Sequence, residues 1–265
     1  MTGALLGAAG AAAFLAASAR WNWWRPRVRG LAVPMYHKIG DPPASSRVKK
    51  LWVRTRDFRR QLEFLLRDGW TPVLLSELSG ALPPKPVLVT FDDGTADAYE
   101  RAFPILKELG FKANVFLVCE AIGRHTAWED PAVEPFQRVL DRDQILEMQA
   151  SGLVEFGSHT LRHPDLARLS LEEARCEAAE SRRRLEALLG RPVTAFAYPY
   201  GSGAYLPEVR ATVRQAGYLH DFSIRQGITP WPWDPGSGPI RRLLVRRDDG
   251  LLDLRLNLSR GRARL

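Results

Sequence analysis

The amino-acid sequence predicts an α/β protein in which parallel strands form either a barrel or an open sheet. Two observations carry this prediction. Short apolar runs of strand length alternate along most of the chain with longer segments whose apolar residues recur at helical spacing. The chain has 265 residues, of which 45% are apolar and 26% charged, so it is large enough for a substantial core. Consecutive parallel strands need a crossover connection, which is usually a helix.

The first half of the chain contains three predicted strands and two predicted helices. The first strand is the apolar run 31–36, and a helix at 56–67 follows it with apolar residues at helical spacing. The β-branched run 86–91 predicts the second strand. The next helix, at 96–109, ends before a glycine, which commonly terminates helices, and the apolar run 113–119 predicts the third strand.

The second half of the chain repeats this alternation. A helix is predicted at 141–150, where an aspartate occupies the N-cap position, and a strand is predicted at 153–156. The helix at 170–189 begins with a Ser-x-x-Glu capping box and ends before a glycine. A strand at 192–198 and a helix at 206–216 follow. This order indicates successive βαβ units.

Two further strands, at 218–223 and 240–245, complete the predicted sheet. The long connections of the chain are 39–54, 123–140 and 226–239. Connections of this length in a compact domain tend to carry function. We therefore expect functional residues within them.

The net charge of +8 is unevenly distributed along the chain. Residues 20–60 hold 12 lysines and arginines against two aspartates, and residues 241–265 hold eight arginines against three aspartates. The stretch between them is net acidic, whereas a nucleic-acid-binding protein should have a basic body, so nucleic acid is not an expected partner. The basic ends fit an anionic membrane surface, and a solvated charged face is an equal alternative for the C-terminal cluster.

The N-terminus holds a candidate targeting signal. Residues 4–19 are uncharged and rich in alanine and glycine, but this stretch is shorter than the about 20 residues that cross a bilayer. The tripeptide before Arg20 resembles a signal-peptide cleavage site, and three tryptophans within 21–24 are typical of a membrane interface. We expect membrane association through a single N-terminal anchor, with export after signal cleavage as the alternative.

Asp92 and Asp93 end the predicted strand 86–91 and precede Gly94. The carboxyl ends of strands are where barrel enzymes build their active sites. Adjacent carboxylates point in different directions, so one can bind a metal while the other acts as a base. Taken alone, such a pair is more often a solvated turn.

His159 and His163 follow the strand at 153–156 and stand four residues apart. In a helical segment this spacing places both imidazoles on one face, where they can share a metal ion. The segment 196–201 (FAYPYG) ends another strand and predicts a tight turn around Tyr200. The backbone N–H of Tyr200 is suited to stabilising an oxyanion, and an ordinary strand-to-helix turn is the alternative.

In this order, the motifs TFDDG, SHTLRHP and FAYPYG resemble those of the polysaccharide deacetylase family, the NodB-like carbohydrate esterases. The resemblance covers residues 31–247, nearly the whole chain after its N-terminal segment. It implies a distorted (β/α) barrel of about seven strands. It also implies a metal-dependent hydrolase that removes the N-acetyl group from amino sugars of an envelope polysaccharide or a lipid-linked saccharide and releases acetate.

The same resemblance assigns roles to the matching residues. Asp92, the first aspartate of the pair, is the expected catalytic base. Asp93, His159 and His163 are the expected ligands of a divalent metal, with Zn²⁺ as the expected cofactor. The backbone N–H of Tyr200 is the expected donor to the oxyanion.

Pro199, Tyr200 and Trp128 are the expected contacts to the substrate. Pro199 and Tyr200 belong to the third motif. Trp128 lies in the long connection 123–140, where its indole is suited to stacking on a sugar ring. A core or membrane-contact role for Trp128 is an equal alternative.

Two departures from the family pattern change the expected site. Where the family often has an arginine that orients the catalytic aspartate, this chain has Ala197, and Arg242 is the expected replacement, with a surface arginine as the alternative. The histidine that many members place on a late strand is absent from 240–245. A branch acting on exopolysaccharides instead has an early Met-Tyr-His motif, which matches residues 35–37, so His37 is the expected general acid. A buried histidine bonded to a carbonyl is its alternative.

The expected organisation has three segments: an anchor or signal segment at 1–30, a catalytic domain at 31–250 and a basic C-terminal tail at 251–265. The expected partners are an N-acetylated saccharide and a membrane surface. Two other functions are compatible with the same fold: hydrolysis of another sugar amide, such as a formyl group, and sugar binding without catalysis.

Overall fold

The computed structural model describes Phe14, Ser18 and residues 21–264. Seven parallel strands close into a barrel, in which strands that follow one another in the chain lie side by side. The strands are β1 (Pro34–Tyr36), β2 (Thr90–Phe91), β3 (Ala113–Leu117), β4 (Val154–Ser158), β5 (Ala195–Ala197), β6 (His220–Gln226) and β7 (Ile240–Leu244). The pairing of β1 with both β2 and β7 closes the barrel.

Helices connect most of these strands and surround the barrel. Within residues 21–264 they are α1 (Thr55–Arg67), α2 (Phe103–Leu109), α3 (Arg142–Ala150), α4 (Leu171–Leu189), α5 (Pro207–Gln215) and α6 (Leu251–Arg260). A π-helical turn, Ala98–Ala102, leads into α2. Two small sheets lie outside the barrel, where Lys38–Ile39 pairs with Trp52–Val53 and Thr71–Pro72 pairs with Pro86–Val87.

The barrel strands bury both faces, because successive side chains of a strand point alternately inward and outward. The interior holds an apolar cluster that includes Phe116, Phe222 and Ile240, whereas Leu243 belongs to the larger cluster around the strands. The ring of Phe116 fills the space in front of Gly157, where an added Cβ would lie 2.5 Å from a ring carbon. The barrel is therefore a packed core, and room for chemistry exists only at its ends.

Local signals set the helix boundaries that the sequence predicts. Asp141 caps α3 by accepting a hydrogen bond from Gln144 N at 2.9 Å. Ser170 caps α4 by accepting one from Glu173 N, and Gly190 ends that helix in the left-handed conformation, with φ of 65°. Both predicted caps are confirmed, because a cap depends on residues within one turn of each other.

The α/β prediction is confirmed, and the closed barrel excludes the open sheet. Some predicted strands are wrong in extent. The run 86–91 splits into Pro86–Val87, which pairs outside the barrel, and β2, which pairs with β1 and β3. The strand predicted at 218–223 continues to Gln226. In both cases the pairing partner, rather than the apolar run itself, determines where the strand ends.

The C-terminus differs most from its prediction, since α6 forms within the segment predicted as a basic tail. Leu254 and Leu258 are buried on one face of α6, and this helix packs against α1. Their spacing of four residues is the helical signal. Arginines between the leucines make the segment basic, so its charge alone does not indicate a helix.

The predicted anchor segment, residues 4–19, lies outside the described residues apart from Phe14 and Ser18. No helix in the described part of the chain combines the length and the apolar character that crossing a membrane requires. The anchor therefore stays a prediction.

Candidate active site

Several side chains singled out by the sequence meet at the carboxyl ends of the barrel strands. Asp92 and Asp93 follow β2, His159 follows β4, and Asp92, Asp93 and His159 are all buried. His37 follows β1 and is partly buried. Because all strands are parallel and consecutive, their carboxyl ends form one rim, which is the edge where the fold can converge side chains from distant segments.

Asp93, His159 and His163 form a compact cluster. One potential ligand atom from each lies within 4.8 Å of the other two, and all three residues are buried. The distance to Asp93 Oδ1 is 3.7 Å from His159 Nε2 and 3.4 Å from His163 Nε2. The structure thus brings together the three residues that the sequence predicts as metal ligands.

The backbone around this cluster is held in unusual conformations. Asp93 has φ of 69°, Thr160 of 71° and His163 of 65°, a region that residues other than glycine rarely adopt. The carboxylate of Glu177, on α4, accepts hydrogen bonds from the backbone N–H groups of Leu161 at 2.9 Å and Arg162 at 3.0 Å. These bonds fix the turn between the two histidines, so the strain serves to position both imidazoles.

The chemistry of the cluster fits a divalent cation. His159 Nδ1 lies 2.8 Å from the carbonyl oxygen of Ala197, so a proton on Nδ1 leaves the Nε2 lone pair directed at Asp93. Burial lowers the pKa of His159 to about 4, which keeps its imidazole neutral. Burial acts to raise the pKa of Asp93, but contact with His163 and the nearby His37 outweigh it and lower that pKa. Two imidazoles and one carboxylate are a common donor set for zinc.

Asp92 is locked by a bidentate ion pair with Arg242. The distances are 2.6 Å from Nη1 to Oδ1 and 2.7 Å from Nη2 to Oδ2, and Arg242 is fully buried. Burial acts to raise the pKa of Asp92, but the charge of Arg242 outweighs it and lowers that pKa below its ordinary value. The Asp92 carboxylate is therefore ionised and oriented at neutral pH.

The alternation along β7 explains how Arg242 reaches Asp92. Ile240 packs in the barrel interior, Arg242 lies two residues further on the same face, and Leu243 points outward. The guanidinium also donates from Nε to the carbonyl oxygen of Ser223 at 2.9 Å. The surface-arginine alternative is excluded, since Arg242 is fully buried and paired with Asp92.

His37 lies within electrostatic reach of both aspartates. The negative charges of Asp92 and Asp93 act to raise its pKa, but burial, the larger effect, lowers it. Its Nδ1 atom is buried and has no hydrogen-bond partner among the described residues. The alternative of a histidine bonded through its ring to a carbonyl therefore does not apply to Nδ1.

Two aromatic side chains flank the imidazole of His163. Trp128 stacks on it with ring centroids 4.6 Å apart and an interplanar angle of 24°. Tyr200 meets it edge-on at 4.7 Å, and 55% of the Tyr200 residue is exposed. Tyr200 adopts φ of 56° in a short turn that begins at the buried Pro199. These aromatic surfaces stand at the mouth of the site, where a sugar ring can stack.

A buried ion-pair cluster beside the site is missing from the sequence predictions. Lys38 Nζ lies 2.9 Å from Glu129 Oε1 and 3.8 Å from Glu134 Oε1, and the lysine side chain is fully buried. Burial acts to lower the pKa of Lys38, but the charges of Asp93 and the two glutamates outweigh it and raise that pKa. Glu134 also accepts a hydrogen bond from Trp52 Nε1 at 2.9 Å.

This Lys38 cluster ties the connection 123–140 to the rim of the barrel. Glu129 directly follows Trp128, so the ion pair holds the chain next to the indole that covers His163. The sequence gives a weak indication of this cluster, because Lys38 follows the predicted acid His37 and Glu129 follows Trp128, the predicted sugar contact. The pairing itself spans 91 residues and leaves no local pattern.

Known proteins with similar sequences and structures bear on this site. The sequence model of a family described as polysaccharide deacetylase matches residues 79–220. The Bacillus subtilis protein YxkH, whose name places it among the polysaccharide deacetylases, is 28% identical over 238 residues, covering 87% of this chain and 72% of its own length.

One further relative has a name that specifies a substrate, and another has a solved structure. The poly-beta-1,6-N-acetyl-D-glucosamine N-deacetylase of Staphylococcus epidermidis is 26% identical over 230 residues, covering 81% of this chain and 75% of its own. The structure of IcaB from Ammonifex degensii superimposes with a TM-score of 0.67 at 28% identity, covering 83% of this chain and 94% of that protein.

Proposed function

The chain belongs to the polysaccharide deacetylase family, whose members are hydrolases of non-peptide carbon–nitrogen bonds, and we propose that it removes N-acetyl groups from an amino-sugar polysaccharide of the cell envelope. The proposal rests on two groups of side chains that meet at one rim of the barrel. Asp93, His159 and His163 form a metal-ligand set, and Asp92 stands beside it in a bidentate pair with Arg242. A metal centre with an adjacent oriented carboxylate is the equipment that amide hydrolysis needs.

The ligand set is proposed to hold a divalent cation, with zinc as the expected ion. Bound by Asp93, His159 and His163, such a cation would supply Lewis acidity at this rim. Because His159 and Asp93 are held by the Ala197 carbonyl and by the strained turn, the protein contributes a fixed donor geometry. This pre-organisation limits the reorganisation that a reaction step would need.

Asp92 is proposed to accept the proton of the attacking water. Arg242 occupies one lone pair on each carboxylate oxygen and leaves the others available. The same pairing lowers the pKa of Asp92, which weakens it as a base. We infer that the ion pair with Arg242 lowers the basicity of Asp92 but fixes its orientation. Correct placement of the carboxylate toward the reacting water contributes more to the rate than the lower proton affinity removes.

His37, Tyr200 and Trp128 are proposed to serve the substrate side of the reaction. His37 is proposed to donate a proton to the leaving sugar amine. Burial lowers its pKa, but the negative charges of Asp92 and Asp93 act in the opposite direction and favour the protonated imidazole, and its buried Nδ1 has no partner among the described residues. The backbone N–H of Tyr200 is proposed to stabilise the developing oxyanion. The Tyr200 ring and Trp128 are proposed to stack on the sugar, with Pro199 shaping the turn beneath.

Acetate release from N-acetylglucosamine oligomers by the purified, zinc-loaded chain tests this function. We expect acetate release that stops on chelation and returns with added metal. Oligomers carrying N-formyl groups at the same positions serve as the matched substrates, because they differ only by the methyl group. Faster hydrolysis of the formylated series would favour a deformylase, and metal-independent sugar binding without hydrolysis would indicate a binding protein.

Membrane association through residues 1–30 is a separate proposal that rests on the apolar stretch 4–19. Residues of the flank bond to the C-terminal segment, for example Asn22 N to Ala263 O at 2.7 Å. A deletion that tests the anchor should therefore end before Trp21, so that these bonds survive. We expect this shortened chain to keep its catalytic activity and to lose membrane retention in cell fractionation; loss of activity as well would contradict a simple tether.

A further inference from the structure

The two basic ends of the chain lie side by side in the structure. The N-terminal flank runs along the C-terminal segment, where Asn22 N donates to Ala263 O at 2.7 Å and Val28 N donates to Ser259 O at 2.8 Å. Asn22 Nδ2 also donates to the carbonyl oxygen of Arg264 at 2.6 Å. Segments more than 200 residues apart thus form one surface, which we call the basal surface and define as residues 21–30 and 251–264.

The basal surface holds arginines that form no ion pair in the described part of the chain, although Asp68 lines the same cavity within electrostatic reach of Arg255. No ion pair within the described residues involves these members of it: Arg25, Arg27, Arg29, Arg255, Arg260 and Arg262. The contrast is Arg264, which contacts Asp248, Asp249 and Asp253 at 2.8 to 3.0 Å. Holding like charges together costs electrostatic free energy, and an anionic partner recovers that cost.

A cavity of about 780 Å³ opens on this surface. Arg27, Arg29, Arg255 and Arg260 line it together with the indole of Trp70. The exposed side chains of Arg27, Arg29 and Arg255 are the donors that an anionic oxygen in the cavity can reach.

Exposed apolar side chains border the arginines. Trp23 is 42% exposed, Trp24 55%, Val28 40% and Leu252 49%. Tryptophans beside arginines are typical of the membrane–water interface, where the indole enters the headgroup layer and the guanidinium meets phosphate. The chain that leads into Trp21 is the apolar stretch 4–19, which continues the same character.

The cavity lies toward the end of the barrel opposite the active site, whereas the part of the basal surface around Asn22 and Arg264 lies near the start of α6. Gly30 and Lys85 line the cavity and precede the strands whose carboxyl ends lead to His37 and Asp92. The lining residue Arg260 ends α6, which starts near the carboxyl end of β7 and runs back along the barrel. A ligand in the cavity would therefore lie away from the catalytic rim.

We propose that the basal surface docks on an anionic phospholipid bilayer, with a lipid phosphate entering the arginine-lined cavity. Phosphate matches the unpaired guanidinium groups, and the bordering tryptophans and aliphatic side chains match the acyl boundary. A nucleic acid would match the charge alone, since it offers no apolar layer for Trp23, Trp24 and Leu252. This docking is independent of the proposed reaction, because it uses none of the catalytic side chains.

Co-sedimentation of the full chain with vesicles tests the proposal. One set of vesicles contains phosphatidylcholine alone, and the other contains equal amounts of phosphatidylcholine and phosphatidylglycerol. We expect stronger binding to the mixed vesicles and weakening of that binding with added salt. The Arg27→Glu/Arg255→Glu variant reverses two exposed arginines, and we expect its binding to the mixed vesicles to fall on the order of tens of fold.

The Arg60→Glu/Arg142→Glu variant is the matched control, because it makes the same charge change at two exposed arginines outside the basal surface. We expect it to bind the mixed vesicles like the unmodified chain, and we expect both variants to hydrolyse a soluble oligosaccharide equally well. Equal binding of the unmodified chain to both kinds of vesicle would overturn the proposal. So would undiminished binding of the basal variant, or tighter binding of a single-stranded oligonucleotide than of mixed vesicles at equal phosphate concentration.

Discussion

Asp92 is held in place by hydrogen bonds to both its side chain and its backbone. Both of its oxygens accept from Arg242, and its own backbone N donates to the carbonyl oxygen of Tyr36 at 3.0 Å. Asp93, one residue further, turns away into the histidine cluster through a left-handed backbone, with φ of 69°. Two neighbouring residues of identical chemistry therefore have different partners, which is the physical basis for giving them different roles.

Replacing Arg242 by lysine tests the orientation of Asp92. Lysine keeps the positive charge but cannot form two parallel hydrogen bonds, so we expect kcat/KM to fall on the order of 10²-fold. The pKa of Asp92 should rise when the bidentate pair is lost, so the acid limb of the pH–rate profile should move to higher pH.

Arg241→Lys is the control for this experiment, since Arg241 is the exposed neighbour on the same strand. It should leave both the rate and the acid limb unchanged. An Arg242→Lys variant with an unmoved acid limb would show that Arg242 does not set the protonation of Asp92.

Asp97 provides a pH-dependence prediction away from the metal cluster. Burial raises its pKa to about 6, and its Oδ2 accepts a hydrogen bond from Ile39 N at 2.5 Å. The folded-state pKa lies above the unfolded value of about 4, so the stability from the protonated form is present below pH 4 and is lost as the pH rises to about 6. We expect Asp97→Asn to raise the free energy of unfolding by about 1–2 kcal/mol at pH 7 and to change little at pH 4.

Urea denaturation of Asp97→Asn at the two pH values measures this difference. Asp143→Asn, in the exposed first turn of α3, is the control and should show no such pH-dependent gain. A stabilisation that is equal at both pH values would contradict the assigned titration of Asp97.

Among the elements, the connection 123–140 has the most direct link to the site. It carries Trp128 onto His163 and is held at the next residue by the buried pair of Glu129 with Lys38. Buried ion pairs add little net stability when intact, but removing one partner leaves an uncompensated charge. The position of the loop therefore depends on an ion pair in which removal of either partner is destabilising.

Lys38→Met tests how far the position of the connection 123–140 depends on this ion pair. It leaves Glu129 and Glu134 without their cation, and we expect a loss of about 3 kcal/mol in the free energy of unfolding. In Lys38→Met/Glu129→Gln the loss should be smaller, because one uncompensated charge is gone. Lys107→Met, which breaks the exposed contact of Lys107 with Glu147, should cost less than about 1 kcal/mol.

Kinetics separate a positioning role for Lys38 from a purely structural one. If the cluster places Trp128 for sugar binding, Lys38→Met/Glu129→Gln should raise KM for an oligosaccharide more than it lowers kcat. An unchanged KM in a folded variant would show that the cluster supports the fold without setting the substrate contact.

The elements also show which features could be predicted from the sequence. The capping boxes at Asp141 and Ser170 were predictable because their signals lie within four residues. Barrel closure was not, since periodicity is the same for an open sheet, and only the family resemblance favoured the barrel. The pairs Arg242 with Asp92 and Lys38 with Glu129 span 150 and 91 residues, so no local pattern marks them. The resemblance pointed to Arg242 only because Ala197 stands where an arginine was expected.

The whole molecule has two chemically distinct ends. The carboxyl ends of the strands bear the acidic and imidazole cluster, whereas the arginine-lined cavity opens toward the opposite end. A packed barrel interior separates them.

Metal content and acetate release measured together on Asp92→Asn test the central claim most directly, which is that Asp92 is the base and Asp93, His159 and His163 hold the metal. We predict that Asp92→Asn retains its zinc and loses about 10²–10⁴-fold in kcat on N-acetylglucosamine oligomers. We predict that Asp93→Asn, the neighbouring substitution, loses the metal and the activity together. Loss of zinc from Asp92→Asn, or hydrolysis by it at the unmodified rate, would contradict the division of roles between the two aspartates.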